Sequence, residues 1–129
     1  MLQTGIKGEK SVVAEAANSA KVMKSGTLDV FATPAMVALM EQAAYTSVQH
    51  ELEEGQGTVG TRMEVSHISA TPLGQTVTAK SELTAIDRRK LTFSVEAYDE
   101  NGKIGEGVHE RFIVDNKSFQ EKADQKNQV

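Results

Sequence analysis

Past residue 57 the chain is written almost wholly in period two, and before it lies a single long helical segment. In 75–86, Val77, Ala79, Leu83 and Ala85 fall on one side of a strand, with Thr76, Thr78, Lys80, Glu82 and Thr84 on the other. In 91–98, Leu91, Phe93, Val95 and Ala97 point one way. In 58–70, Val59, Met63 and Val65 share a parity with Thr61 and His67, and a last strand at 103–114 is interrupted by Gly105 and Gly107. Such alternation marks antiparallel sheet with one face covered. The turns at Asp87–Lys90 and Asn101-Gly102 read as hairpins. Residues 6–17 read as a first strand and 18–32, without a period, as a loop or lid. The helix spans 33–54: Thr33 is placed to cap it, Pro34 suits its first turn, and Gly55 and Gly57 stop it. A strand, one long helix and four strands leave only that helix to cover the apolar face, so the sheet must wrap it. The expected domain is α+β over 1–115, followed by a polar tail at 116–129 expected to be disordered.

Composition narrows the chemistry. A length of 129 residues suits one domain. A net charge of −4 and a pI near 5.4 argue against a nucleic-acid surface, and the one concentrated basic run is Arg88-Arg89-Lys90. Without cysteine there is no disulfide, thiolate nucleophile or thiolate metal site. No histidine pair at helical spacing, carboxylate cluster, phosphate-cradling loop or G-x-S-x-G turn occurs, so the reading is cofactor-free and metal-free. The apolar run Ala35–Met40 is too short for a bilayer and the opening residues lack a leader's apolar core, so a cytoplasmic protein away from membranes is expected.

Within the helix one residue stands out. Gln42, Thr46, Gln49 and Glu53 form a polar stripe. Glu41 lies roughly 110° from its centre, among Val37, Tyr45, Val48 and Leu52. A carboxylate so placed needs a partner or a task. It is either a base or nucleophile, or a structural group bonded to the core or at a subunit interface.

The segment VFATPAMVALMEQAA, followed by VGTRMEVSHISATPLGQTVTAKSEL, is similar to the fluoroacetyl-CoA thioesterase-like family of hot-dog proteins, over roughly residues 10–114. The resemblance implies a curled antiparallel sheet around one central helix, hydrolysis of an acyl-CoA thioester, and a homodimer or dimer of dimers. It also implies a catalytic set of Thr33, Glu41 and His67, with Gly60 and Arg111 contacting substrate. The family's fluoroacetate selectivity is linked to a bulky aromatic gate. In 18–32 the only aromatic residue is Phe31, so the general acyl-CoA thioesterase is the part of the implication carried forward.

Each of these residues has a plainer role open to it. Thr33 is a common helix cap, His67 a possible core histidine on the buried parity, and Gly60 a possible bulge. Arg111 is open between substrate contact and a solvated strand position, and the 88–90 turn between CoA phosphates and a hairpin tip. His50 reads as a cation at the helix C-terminus, and His109 is undecided. If Thr33 and Glu41 are both helical, eight residues set them about 12 Å apart along the axis, so either the Thr33 loop curls back or two subunits complete the site. Two rivals share the fold: a non-catalytic acyl-CoA binding or sensing protein, and an enoyl-CoA hydratase. The hydratase needs an aspartate–histidine pair that Asp29 lacks.

Overall fold

In the strand Lys90–Asp99 the alternation is realised without exception: Leu91, Phe93, Val95 and Ala97 are all buried. That strand is the centre of one five-stranded antiparallel sheet in a computed structural model that describes residues 1–127. The strands are β1 (Lys7–Val13), β2 (Gln56–His67), β3 (Thr76–Asp87), β4 (Lys90–Asp99) and β5 (Gly102–Asp115), in the spatial order β1-β3-β4-β5-β2. Between β1 and β2 run a short 3-10 turn, the one-turn helix α1 (Ala20–Met23) and the long helix α2 (Thr33–Gln49).

α2 buries Met36, Leu39, Met40, Ala43, Ala44, Ser47 and Val48, a stripe at helical spacing. This stripe meets Val77, Ala79 and Leu83 of β3 and Phe93 and Val95 of β4 in a single core. Each fully buried Leu, Met or Phe contributes about 1.5–3 kcal/mol. The helix lies chiefly over β1 and β3. A Cβ on Gly8 would strike the Ala43 carbonyl, so that close approach requires glycine in β1.

Several expectations are corrected. β2 carries a bulge: Gly60 pairs with Arg111 and Arg62 with Glu110, leaving Thr61 as the extra residue. The strand's phase therefore flips. Gly60 joins Met63 and His67 on the helix side, while Val59 pairs with the exposed Phe112, and Thr61 is exposed. β3 has a second irregularity between Leu83 and Ala85, which leaves Ala85 exposed rather than inward. α2 ends at Gln49 rather than near residue 54. Glu51 N and Leu52 N donate three residues back, tightening the chain before Gly55 turns at φ +85°. Instead of a structureless tail, α3 spans Asn116–Asp124, its first turn capped by the Asp115 carboxylate accepting from Ser118 N–H. The last two residues of the expected tail, 128–129, lie outside the described residues.

β1 is also shorter than the expected 6–17. The 18–32 segment is tied down by bridges from Ser19 to Phe31 and from Val30 to Pro72. Ser19 caps α1, and Lys24 ends it in the left-handed region at φ +61°.

Candidate active site

Two groups of polar side chains gather at opposite ends of the β2–β5 ladder. The first joins the start of α2 to the end of β2. Thr33 is the first residue of the helix and Ala32 its cap, so the threonine hydroxyl is not used in capping. It sits 2.7 Å from His67 Nδ1 instead. His67 Nε2 is buried without a hydrogen-bond partner. Burial holds the His67 pKa below the ordinary histidine value, with the Ser69 backbone pulling the other way. The pair borders a cavity of about 210 Å³ shared with Ala20, Val30, Phe31 and Ser69. Phe31, itself 1% exposed, also walls a second cavity of about 350 Å³ lined by Val12, Met23, Ala35, Ala38 and Leu39.

The second group surrounds Glu41. The buried stripe of α2 is centred roughly 110° away from Glu41, which therefore stands at the border of the core rather than on its face. Its side chain is 39% exposed, and its neighbour Tyr45 is also part open. The carboxylate lies directly over β2: a Cβ at Gly60 would come 2.8 Å from Glu41 Oε2. Gly60 thus lies beside the bulge, at a close approach to the Glu41 carboxylate.

Across from it Arg111, 8% exposed in its side chain, brings Nη1 to 3.8 Å from Glu41 Oε2. Its Nε donates to Thr58 Oγ1 at 2.7 Å and its Nη2 to the Thr58 carbonyl at 2.8 Å. Tyr45 places its ring 5.6 Å from the guanidinium carbon. Burial pulls the Arg111 pKa below its ordinary value, opposed by Glu41 and then Tyr45.

Beneath Arg111 lies His109, 1% exposed. Its Nδ1 is 2.8 Å from the Arg62 carbonyl and its Nε2 is 3.2 Å from Arg111 Nη1. The sequence left His109 undecided and passed over Thr58. The signal was there: His109 and Arg111 are two apart on one strand and so share a face.

The geometry therefore brings Thr33 to His67, and Glu41 to Gly60 and Arg111, without uniting the two groups. Both Thr33 and Glu41 are in α2, so about 12 Å of helix separates them and the curled-loop alternative falls away. His50 closes the C-terminal end of α2 and contacts Glu51 at 3.2 Å, away from both groups. The 88–90 turn borders an open groove with Phe112. Among the described residues no cluster of three or more potential metal ligands occurs, and no helix is long and apolar enough to cross a membrane.

Comparison with known proteins meets this geometry. A family model described as fluoroacetyl-CoA-specific thioesterase matches residues 13–117. The fluoroacetyl-CoA thioesterase of Streptantibioticus cattleyicolor is 43% identical over 98 residues, 76% of this chain and 70% of that protein. A solved fluoroacetyl-CoA thioesterase superposes with a TM-score of 0.92 at 33% identity over 98% of both chains, and a mutant form of that enzyme is solved with acetyl-CoA. A hot-dog-like protein from Thermanaerovibrio acidaminovorans, 22% identical, shares the fold with a TM-score of 0.86 over 95% of this chain and 91% of its own. The hot-dog architecture expected from the sequence is the one observed.

Proposed function

Since the chain belongs to the fluoroacetyl-CoA-specific thioesterase family, we propose that it hydrolyses a short acyl-CoA thioester to the free acid and CoA. The observation that carries the reading is a partly exposed Glu41 carboxylate lying over Gly60, whose missing side chain leaves room beside it. In this reading Glu41 takes a proton from water as the water oxygen adds to the thioester carbonyl carbon, or adds directly as a nucleophile to give a mixed anhydride that water then hydrolyses to the free acid. The carbonyl electron pair moves to oxygen. On its return the C–S bond breaks, and the CoA thiolate takes up a proton. Thr33 and His67 position the carbonyl and pass the proton, Arg111 supports the carboxylate or the substrate, and no cofactor takes part. Because about 12 Å of helix separates Thr33 from Glu41, the site is completed between two subunits of a homodimer, the Thr33–His67 pair of one facing Glu41 of the other. Cavities of about 210 and 350 Å³ on either side of Phe31 suit a short acyl group. The absence of cysteine from the sequence suits a cytoplasmic setting.

The test is thiol release from acyl-CoAs of graded length by wild type and Glu41→Gln, with circular dichroism to check the fold. Loss of general-base catalysis should lower kcat by about 10²–10⁴-fold. An unchanged rate in a folded variant overturns the role of Glu41. Intact acyl-CoA bound without thiol release points to the binding protein instead.

A further inference from the structure

His109 is the buried titratable group that the proposed chemistry leaves without a part. Its surroundings dictate its protonation. The Arg62 carbonyl, 2.8 Å from Nδ1, carries no proton, so Nδ1 must donate to it. That bond draws on the backbone beside the Thr61 bulge. Arg111 is only a donor, so Nε2, 3.2 Å from Nη1, must accept from it. The only imidazole form that satisfies both bonds is neutral, with its hydrogen on Nδ1.

The guanidinium is thereby held on three sides. Thr58 takes Nε and Nη2, His109 takes one hydrogen of Nη1, and Glu41 is left with the longest contact, 3.8 Å, beyond hydrogen-bond distance.

We infer that His109 is a positioning residue. As the neutral Nδ1–H form it anchors Arg111 close enough to Glu41 to balance its charge, yet keeps Nη1 from closing onto the carboxylate, whose lone pairs stay free for water or substrate. The inference rests on Glu41 being the working carboxylate.

The charged and titratable groups around the imidazole agree. Arg111 faces it from β5 and Glu41 from α2, with Tyr45 of α2 on the far side of Arg111. β4 contributes the uncharged Phe93 ring, 6.2 Å away, and β2 only the Arg62 carbonyl. Burial lowers the His109 pKa and the Arg111 charge adds to this, against the Arg62 carbonyl and Glu41. Protonation would remove the acceptor and set a second cation against Arg111.

The experiment compares pH–rate profiles and melting temperatures of wild type, His109→Gln and His109→Asn. Glutamine carries an amide oxygen about as far out as Nε2 and can still accept from Arg111. Asparagine reaches only the place of Nδ1 and can keep the Arg62 bond alone. Glutamine should hold kcat within about threefold and asparagine should lose about tenfold or more, with KM moving less than kcat. The acid limb of the kcat/KM profile should lose one protonation in the glutamine variant. Equal losses in both variants, tracking their melting temperatures, would overturn the inference in favour of simple packing.

A second measurement needs no turnover. Imidazole nitrogen shifts of wild type near pH 7 should show His109 protonated at Nδ1 and bare at Nε2. A charged ring or the Nε2–H form overturns the inference. An unaffected Glu41→Gln rate would sink the role of the carboxylate while leaving these shifts as they are, so the two failures are told apart.

Discussion

The two polar groups differ in how completely they are satisfied. Around Arg111 each of the three guanidinium nitrogens has an acceptor: Thr58 supplies two, His109 a third, and His109 is itself tied to the Arg62 carbonyl. At the other end of the ladder Thr33 and His67 share one bond, the threonine is exposed, and His67 Nε2 has no partner. A network tied at every nitrogen is rigid and can hold the charge facing the carboxylate to within about 0.5 Å. An unsaturated pair beside a cavity is what an incoming carbonyl or water can complete. The chain thus separates a fixed support from an open, adaptable contact.

The strongest way to break this contrast is to crowd the fixed support. Gly60→Ala puts a carbon 2.8 Å from Glu41 Oε2, so the carboxylate must move. A shift approaching 1 Å should cost about 10²-fold in kcat/KM, measured by thiol release, with the melting temperature little changed. Retention of full activity would mean that the carboxylate position is immaterial.

Next come matched threonine deletions. Thr58→Val removes the acceptor of Arg111 Nε and should destabilise by about 1–3 kcal/mol in urea titrations. Thr33→Val, at an exposed position, should stay within about 0.5 kcal/mol while lowering kcat. Equal stability losses would erase the distinction between the two groups.

A smaller effect is expected from pH. Burial lowers the pKa of both His67 and His109, so folding favours their neutral forms. The stability they contribute is present above the ordinary histidine value of about 6.5 and is lost as pH falls through their lowered folded values. Melting temperature should therefore drop on acidification below that point. The drop should shrink in His67→Gln and in His109→Gln, and a drop as large as the wild type's in both variants refutes the assignment. The smallest effect belongs to Asp115→Ala, which removes the α3 cap, a carboxylate bonded to Ser118 and to neither group. It should reduce helical ellipticity slightly and leave thiol release alone.

Much of this was legible in the sequence where one physical signal dominated. β4 alternates perfectly because it is central, covered on one face and paired on both sides. The start of α2, with Pro34 in its first turn, was equally plain. The bulges were not. Thr61 and Thr84 are ordinary strand residues, and an extra residue changes phase without changing composition, so Val59 and Ala85 were assigned to the wrong side. The end of α2 was misplaced because glycines mark where a helix must have stopped, not where tighter turns end it first. At the site, the helical wheel singled out Glu41 but set it deeper than its border position. His109 was left undecided: spacing puts it on one face with Arg111, but a tautomer fixed by one carbonyl and one guanidinium is a relation no spacing rule encodes.

The extra residue in β2 has a consequence for how this protein can change over time. It is a joint between two lengths of one strand, one bearing Thr58 and Gly60, the other Met63, Val65 and His67. Removing Thr61 would rotate the first length relative to the second and carry Gly60 away from Glu41, while the second length could keep its hold on Thr33. Substitutions on either side of the joint can accordingly drift under separate selection, one half keeping its place beside Glu41 while the other adjusts around Thr33 and His67.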